Sequence, residues 1–355
     1  MSRLRSGFTT GTCAAAASKA AAMILLGRPA VSEVEISPPK GERFRVPVLY
    51  ARKKDDRGEA AVRKDSGNDP DVTAGITVIA EASFTPGKEI LIAAGEGVGT
   101  VTKPGLSVPS GEPAVNPVPR QMIREALHEV TDRGIKIVLS IPEGKELAAR
   151  TFNPRLGIVG GLSILGTTGW VRPFSSSALR TSLKCTLDVA IACGVEAPIF
   201  VPGHIGERAA RRLFHPAPEQ VIEVSNEWGY MLDLAAAHDW AGLLVLGHPG
   251  KLAKLAMGEW DTHSAKSKSA VSFVTVLAAE LTGQIRDDCP TVEGIFSSLF
   301  PEDREVLGGT LSRRVSEAVS RRTGERFSIA ALLVNMQGTR LGSYGDLTPW
   351  KEENP

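Results

Sequence analysis

The spacing of hydrophobic positions divides the chain into two regions of different pattern. Up to about residue 134, an Ala-rich segment with helical spacing precedes several short runs in which hydrophobic and polar residues alternate. Alternation with a period of two is typical of half-buried strands. From residue 135 onward, β-branched or Leu-rich runs alternate with helical stretches, which is typical of βαβ units and a parallel sheet. The pattern therefore predicts an α+β region followed by an α/β region.

The first region is predicted to open with a helix. Thr9, Thr10 or Thr12 can cap its first turn, and Gly27 is placed to end it. The charged run from Arg52 to Arg57 is interpreted as a solvated loop. Strands are predicted at Val34 to Ser37, Phe44 to Leu49, Gly75 to Ala82 and Glu89 to Ala93, and a second helix from Val118 to about Arg133.

The second region is predicted to alternate strands and helices. The strands are expected at Ile135 to Ile141, Leu156 to Val159, Pro198 to Val201, Val221 to Val224 and Gly242 to Leu246. The helices are expected at Glu143 to Arg150, Ser175 to Cys193, Ile205 to Leu213, Tyr230 to Asp239 and Lys251 to Met257. The expected fold class is two-domain α/β. Residues 1–134 are expected to form an α+β domain, residues 135–283 a doubly wound, mainly parallel α/β domain, and residues 284–355 a mostly helical extension.

Composition and charge exclude several classes of protein. The chain has 355 residues, and its 41 Lys and Arg against 40 Asp and Glu leave a formal net charge of +1. Because nucleic-acid and membrane-surface proteins usually carry a clear basic excess, neither partner is expected. No apolar run reaches the roughly 18 residues that a membrane span needs. The four cysteines contain no CxxC pair, so neither a zinc site nor a disulfide framework is predicted, and the expected compartment is the cytoplasm.

Candidate ligand chemistry lies in three turns that follow predicted strands. They are Gly160 to Gly169, Ser225 to Gly229, and the Gly247 to Gly250 turn that opens a helix. Ligands of open α/β sheets bind beyond the carboxyl ends of the strands, so three such turns on one sheet edge predict a ligand site, although each glycine could serve packing alone. The residues assigned to a bound cofactor are Gly160, Gly161, Thr167, Thr168, Gly169 and Asn226.

Two other loops leave their interpretation open. The turn from Gly95 to Gly99 follows a predicted strand, but Pro104 prevents the helix that a dinucleotide-binding turn requires. Its glycines are expected to shape a loop that touches a ligand. The segment from Lys64 to Asp71 holds three acidic residues and is either a metal or polar-substrate loop or a plain Asx turn.

Two histidines are candidates for acid–base chemistry. His248 directly follows a predicted strand, whereas His263 lies between Thr262 and Ser264 in a loop. An unperturbed histidine titrates at about pH 6.5 and therefore suits proton transfer at neutral pH. A structural role remains open for each, and His248 is ranked first because it stands at a strand end.

Several strings of the chain resemble those of one known family. They are GFTTGTCAAAASKAA from Gly7, KDSGNDPDVTAG from Lys64, EGVGTVTKPGL from Glu96, NPVPRQMI from Asn116, TFNPRLGIVGGLSILGTTG from Thr151, GHPGKLAKLA from Gly247 and THS from Thr262. Strings of this length are far more specific than a single glycine motif. Together they resemble the CbiD family, the cobalt-precorrin-5B C-1 methyltransferases of anaerobic cobalamin biosynthesis.

The resemblance implies transfer of a methyl group from S-adenosylmethionine to ring carbon 1 of cobalt-precorrin-5B, which gives cobalt-precorrin-6A. Cobalt belongs to the substrate, so no metal site of the protein is expected. The corrinoid carries several carboxylates, for which basic side chains and the donors of a helix N-terminus are suitable partners. The residues assigned to the substrate are Thr9, Thr10, Thr12, Lys103, Asn116, Arg120 and Arg155.

Two other functions remain open from the sequence. The chain could be a non-catalytic corrinoid or nucleotide carrier, or a nicotinamide-dependent oxidoreductase of the same pathway. Binding of S-adenosylmethionine rather than a dinucleotide distinguishes the methyltransferase from both. The sequence leaves the oligomeric state open.

Overall fold

The computed structural model describes residues 5–171, 173, 175–283 and 289–350. The chain divides into two compact units, Met1–Ser176 and Ser177–Pro355. Helices and sheets of mixed strand direction occur together, which confirms the mixed α/β class. No helix of the described residues has the length and apolar character needed to cross a membrane.

The first unit combines a five-stranded mixed sheet with short strand pairs and three described helices. Its strands are β1 (Gly7–Phe8), β2 (Glu33–Ile36), β3 (Phe44–Pro47), β4 (Tyr50–Lys54), β5 (Arg57–Arg63), β6 (Thr77–Phe84), β7 (Ile90–Ala94), β8 (Gly97–Val98), β9 (Thr100–Val101), β10 (Ile135–Ser140), β11 (Ile158–Val159), β12 (Gly161–Leu162) and β13 (Trp170–Val171). Its helices are α1 (Thr10–Leu25), α2 (Pro117–His128) and α3 (Gly144–Ala148). The main sheet has the order β4-β5-β6-β10-β7.

Helix α1 forms the centre of this unit because its sequence is rich in alanine. Small side chains let it approach the sheet so closely that a Cβ atom on Gly58 of β5 would lie 2.0 Å from the carbonyl oxygen of Ala21. The helix is buried from Thr10 to Ala22 and packs against β5, β6 and α2. Thr9 caps its start, as the sequence predicts, and Gly27 follows its end with a φ of 75°.

The boundary between the units differs from the one expected at residue 134. Strand β10 was expected to open the second domain, but it pairs antiparallel with β6 and parallel with β7 inside the first unit. Its alternate residues Ile135, Ile137 and Leu139 are fully buried in the same hydrophobic core as α1. The chain therefore completes the first sheet before the second unit begins.

The charged run from Arg52 to Arg57 is not the isolated solvated loop that we expected. It forms the end of a hairpin in which β4 and β5 pair antiparallel, with Asp55 at the turn in a left-handed conformation (φ 54°). Lys54 and Arg52 neutralise Glu59 of the neighbouring strand, with a Lys54 Nζ to Glu59 Oε2 distance of 3.1 Å. Such cross-strand pairs stabilise the hairpin despite its polar sequence.

The second unit contains a five-stranded sheet and the remaining helices. The first of these helices begins at Ser176, the last residue of the first unit. Its elements are α4 (Ser176–Ala192), β14 (Ile199–Val201), α5 (His204–Phe214), β15 (Val221–Glu223), α6 (Trp228–Ala235), β16 (Leu243–Gly247), α7 (Pro249–Ala256), α8 (Val271–Thr282), α9 (Val292–Ser298), α10 (Pro301–Arg322), β17 (Ile329–Val334), β18 (Arg340–Tyr344) and a short 3-10 turn at Thr348–Trp350. The strand order is β15-β14-β16-β17-β18. The first four strands are parallel and β18 is antiparallel.

The segment expected to be a mostly helical extension, residues 284–355, contains the helices α9 and α10 where it is described, but it also supplies two strands of this sheet. Strand β17 pairs parallel with β16 and is buried along its whole length, and β18 closes the edge. The hydrophobic run of β17, IAALLV, gives no alternation and follows a 22-residue helix, α10. A fully buried parallel strand has that pattern, but the pattern does not distinguish it from a buried helical segment.

Strands β14 and β16 lie side by side, yet the chain leaves them in opposite directions. From β14 it passes through α5 to β15 on one side, and from β16 it continues to β17 on the other side. Such a position is a topological switch point, and in open α/β sheets it opens a crevice at the carboxyl ends of the strands. The turns at Pro202 to His204 and Gly247 to Pro249 border that crevice.

Candidate functional site

Three buried threonines of the first unit hold a neighbouring loop. The Thr9 hydroxyl accepts from the backbone N–H of Thr12 at 3.1 Å. The Thr10 hydroxyl donates to the carbonyl oxygen of Leu165 at 3.1 Å, and the Thr12 hydroxyl donates to that of Gly169 at 2.7 Å. All three hydroxyls are buried and engaged: those of Thr10 and Thr12 fix the loop, whereas that of Thr9 caps α1 and its backbone N–H donates to the carbonyl oxygen of Gly169 at 3.1 Å.

That loop, residues 165–170, is named here the threonine loop. Its hydroxyl-bearing residues Thr167 and Thr168 are exposed, and Leu165 and Trp170 expose 50% and 38% of their surface. The Trp170 ring packs on Phe8 and Phe44, with ring centroids 5.3 Å and 4.7 Å away. The loop therefore presents an apolar surface beside exposed hydroxyl groups on a rigid support.

The start of α2 meets the same loop. The Asn116 N–H donates to the carbonyl oxygen of Ile164 at 2.9 Å, and a Cβ atom on Gly11 would lie 2.7 Å from the ring of Pro119. The Asn116 side chain makes no cap hydrogen bond. The N-termini of α1 and α2 thus converge on the threonine loop, and they bring together Thr9, Thr10, Thr12, Asn116, Thr167, Thr168 and Gly169.

The three basic residues predicted to bind carboxylates are already in contact with the protein. Arg120 donates to the carbonyl oxygens of Val115 at 2.7 Å and Pro113 at 3.0 Å, and pairs with Glu112 at 3.2 Å. The guanidinium of Arg155 lies 5.7 Å from the centre of the Phe152 ring. Lys103 is half-buried, and its stem lies against Gly157.

The glycines of residues 95–99 and 160–161 mainly pack backbone against backbone. A Cβ atom on Gly161 would lie 2.1 Å from the carbonyl oxygen of Gly97, and one on Gly97 would lie 1.9 Å from that of Ile141. Gly97 also needs a φ of 68°. Of Gly97, Gly160 and Gly161, only Gly160 faces open space. At Gly161 the backbone closely approaches another strand, although the sequence predicted that it would approach a ligand.

The acidic loop from Lys64 to Asp71 forms two Asx turns and two ion pairs. The carboxylates of Asp65 and Asp71 accept from the backbone N–H groups of Gly67 and Thr73. Asp65 pairs with Arg5, and Asp71 lies 2.9 Å from the buried ammonium of Lys64. Burial alone would raise the pKa of Asp71, but hydrogen bonds from Thr73 and Lys64 outweigh it, and the pKa is lowered. The Asx-turn alternative therefore describes this loop.

No set of three or more histidine, cysteine or acidic side chains in the described part of the chain is placed to hold a metal ion.

Cys13 lies in α1 and is fully buried. Burial raises the pKa of its thiol to about 12. The thiol therefore stays protonated near neutral pH and is a packing group rather than a nucleophile.

In the second unit, polar groups gather at the carboxyl edge of the parallel strands. Asn226 follows β15, and its side-chain oxygen accepts from Lys251 Nζ at 2.9 Å and from the Thr262 hydroxyl at 3.2 Å. Within the described ranges, this pattern leaves the two N–H donors of the Asn226 amide for other partners. Burial lowers the pKa of Lys251, and the nearby carboxylate of Glu223 opposes that effect.

The two candidate histidines differ in the state of their ring nitrogens. His248 caps α7, since its Nδ1 accepts from the backbone N–H of Gly250 at 3.0 Å. Its Nε2 therefore carries the proton and donates to Glu293 Oε2 at 2.8 Å. His263 is exposed and uses only Nδ1, which accepts from the Ala265 N–H at 3.2 Å. Of this pair, only His263 keeps a ring nitrogen without a partner among the described residues, whereas the sequence ranked His248 first.

Comparison with known proteins connects these features to a family. A chain from Syntrophotalea carbinolica named cobalt-precorrin-5B C(1)-methyltransferase is 53% identical over 99% of this chain and 100% of its own length. A second of that name, from Methanocaldococcus jannaschii, is 43% identical over 95% of this chain and 96% of its own. This chain belongs to the CbiD family.

One further comparison agrees with that membership. The CbiD family profile matches residues 1–173, which correspond closely to the first unit. A crystal structure of a cobalamin biosynthesis protein (cbiD) from Archaeoglobus fulgidus is 33% identical, over 73% of this chain and 82% of that chain, with a TM-score of 0.40.

The CbiD chain distributes the residues that we assigned to the cofactor over both units. Gly160, Gly161, Thr167, Thr168 and Gly169 lie in the first unit, whereas Asn226 lies in the second. The expectation that all three turns share one sheet edge is therefore wrong. It holds for the turns after β15 and β16, which are neighbours of β14 on its two sides.

Sequence reasoning missed two features of the second unit. The turn after β14 contains Gly203 in a backbone conformation that is essentially limited to glycine, with φ 155° and ψ −163°. A Cβ atom on Gly203 would lie 3.8 Å from Glu223 Oε1. Lys251, which holds Asn226, was also missed. Both depend on contacts between elements distant in sequence, although Gly203 between a strand and a helix was a usable signal.

Proposed function

We propose that this chain is an S-adenosylmethionine-dependent methyltransferase that acts on ring carbon 1 of cobalt-precorrin-5B and yields cobalt-precorrin-6A. One observation carries the proposal: relatives of that name match the chain along essentially its whole length, at 53% identity for the Syntrophotalea carbinolica protein. Similarity of this extent includes both units, so it covers the residues of both candidate regions.

We assign the methyl donor to the carboxyl edge of the second sheet, with Asn226 among its contacts. This assignment rests on the amide N–H donors of Asn226. Lys251 and Thr262 orient them, because both donate to the side-chain oxygen of Asn226. Crevices at this edge are the usual ligand sites of open α/β sheets. Gly160, Gly161, Thr167, Thr168 and Gly169 are not part of this assignment, because they belong to the first unit.

The corrinoid substrate is assigned to the first unit, at the threonine loop. A large conjugated macrocycle needs an apolar surface, which Leu165 and Trp170 offer, and polar partners at its rim, which Thr167 and Thr168 offer. The buried threonines of α1 support the loop from behind. Lys103, Asn116, Arg120 and Arg155 remain the proposed partners of the substrate carboxylates, with Arg120 also holding the chain before α2.

The chemistry requires positioning and the removal of one proton. S-adenosylmethionine supplies a methyl group whose bond electrons return to sulfur as the new carbon–carbon bond forms. Residues that fix the reacting atoms about 3 to 3.5 Å apart and in line supply most of the rate. The substrate then loses a proton to a base, for which His263 Nε2 is available.

Calorimetry tests the proposal against its two alternatives. The purified chain is titrated with S-adenosylmethionine, S-adenosylhomocysteine and NAD, and then incubated with the donor and cobalt-precorrin-5B. We expect binding of both adenosyl compounds, no binding of NAD, and a product that is about 14 mass units heavier, the mass of one CH₂ group. Preference for NAD would favour an oxidoreductase, and donor binding or corrinoid binding without turnover would favour a carrier.

Trp170→Ala is expected to weaken binding of the corrinoid substrate but not binding of the methyl donor. Loss of one aromatic contact of about 1 kcal/mol corresponds to a rise of roughly fivefold in KM for the corrinoid. Trp170→Phe keeps an aromatic ring against Phe8 and Phe44 and should restore KM. Initial rates at varied substrate and fixed donor measure the effect. Equal changes in both KM values would contradict the assignment.

A further inference from the structure

The turn after β14 has the parts of a nucleoside site without its usual sequence signature. Glycines at 203 and 206 occupy the second and third positions of a Gly-x-Gly-x-x-Gly turn, but Val201 stands at the first. A search for the full signature therefore passes over this turn. In the structure, Gly206 lies in close contact with the sheet and Gly203 adopts a conformation limited to glycine, two features that such turns require.

Gly206 permits close packing of α5 on the sheet. A Cβ atom there would lie 2.8 Å from the carbonyl oxygen of Leu246 and 2.9 Å from Cβ of Val201. Helix α5 therefore packs against both β14 and β16, on the two sides of the switch point. This is the role of the third glycine in dinucleotide folds.

Gly203 leaves the space in front of β14 open toward one carboxylate. It is half-buried and adopts a conformation limited to glycine, and the atom nearest to the place where its Cβ would be is Glu223 Oε1, at 3.8 Å. Glu223 ends β15, the strand beside β14, and follows Gly203 by 20 positions. An acidic residue at the end of the second strand, about 20 residues after the glycine turn, is where nucleoside-binding folds contact ribose hydroxyls.

We propose that the Glu223 carboxylate accepts hydrogen bonds from the ribose hydroxyls of the adenosyl group, with Gly203 providing the space for the sugar. The assignment rests on the proposed function, which supplies the adenosyl ligand. It adds a binding residue that the sequence analysis did not identify. Lys251 lies close enough to Glu223 for their charges to interact, so a positive charge accompanies the accepting carboxylate.

Calorimetric titration with S-adenosylhomocysteine tests this assignment without requiring turnover. Glu223→Gln keeps the side-chain volume but removes the charge, and should weaken binding about tenfold to hundredfold, since a charge-assisted hydrogen bond is lost. The matched control is Glu219→Gln, which changes the same residue type before the amino end of the same strand and should stay within about twofold of the unchanged chain.

Ligand analogues make the test independent of how the variant folds. S-adenosylhomocysteine lacking the ribose 2′- or 3′-hydroxyl should bind the unchanged chain at least about tenfold more weakly, and should lose little further affinity in Glu223→Gln. Equal affinity of the unchanged chain for the analogues, or equal affinity of Glu223→Gln and the unchanged chain for S-adenosylhomocysteine, would overturn the ribose assignment alone. Failure of the unchanged chain to bind S-adenosylhomocysteine would overturn the proposed function together with it.

Discussion

Gly161→Ala is expected to unfold the first unit or to destabilise it severely. The added methyl group would lie 2.1 Å from the carbonyl oxygen of Gly97 and 2.2 Å from its carbonyl carbon, and backbone cannot move aside as a flexible side chain can. We expect the free energy of unfolding to fall by about 3 kcal/mol or more, a large part of the stability of an ordinary domain. Urea unfolding followed by far-UV circular dichroism measures the loss.

The neighbouring glycine is the matched control for that substitution. Gly160 has a φ of 90°, but among the described residues no atom beyond its chain neighbours lies within 4 Å of the place where its Cβ would be. Gly160→Ala should therefore lower the free energy of unfolding only by the backbone strain, about 1 to 2 kcal/mol. If Gly161→Ala were tolerated as well as Gly160→Ala, the close pairing of β8 and β12 would be incorrect.

These glycines show why the sequence located the turns but not their purpose. A paired glycine after a hydrophobic run indicates that backbone approaches something closely, and the pattern is the same for a ligand and for another strand. At Gly161 the neighbour is Gly97, 64 positions earlier in the chain. Only the tertiary fold brings them together, so no local pattern could have distinguished the two roles.

Elements with their own start and stop signals could be predicted well. Helix α1 begins at the predicted threonines, and the helices α4 to α7 occur close to their expected positions, because caps, glycines and helical spacing are local features. Assigning β10 to the correct sheet needed its partners β6 and β7, which are distant pairings. The domain boundary and the strands β17 and β18 were missed for the same reason.

In the candidate site too, local features could be predicted from the sequence, whereas contacts between distant residues could not. The turns after β15 and β16 were predicted to lie at one edge, because parallel strands linked by helices bring their carboxyl ends together. The bond between Lys251 and Asn226 could not be predicted, because it joins a helix to a turn 25 positions earlier. Of the two partners of His248, Gly250 is local, but Glu293 belongs to α9, which packs against α7, and could not be predicted.

Those partners are the basis on which we propose His263 rather than His248 as the acceptor of the substrate proton. A general base needs an unprotonated nitrogen within hydrogen-bond reach of the proton. In His248, Nδ1 is occupied by the Gly250 N–H and Nε2 donates to Glu293, so neither nitrogen can accept without breaking the start of α7. In His263, the bond from Ala265 to Nδ1 occupies one nitrogen and leaves Nε2 at an exposed position.

His263→Ala is expected to lower the turnover number by about a hundredfold while leaving binding of S-adenosylmethionine nearly unchanged. The loss has the size usual for removing a general base. Single-turnover rates and calorimetry on the same preparation separate the two effects. His248→Ala should instead keep near-normal turnover at moderate temperature and lose about 1 kcal/mol of stability, because it removes a helix cap.

The opposite result, a large loss of turnover only in His248→Ala, would return the role of base to His248 and would require the bond from the Gly250 N–H to its Nδ1 to open in the complex. If both variants keep near-normal turnover, the histidine assignment is wrong. Asp65 and Asp71 are then poor substitutes, because their hydrogen bonds and ion pairs lower the pKa of both carboxyl groups. A carboxylate with a lowered pKa is a weaker base, so the proton would leave to water.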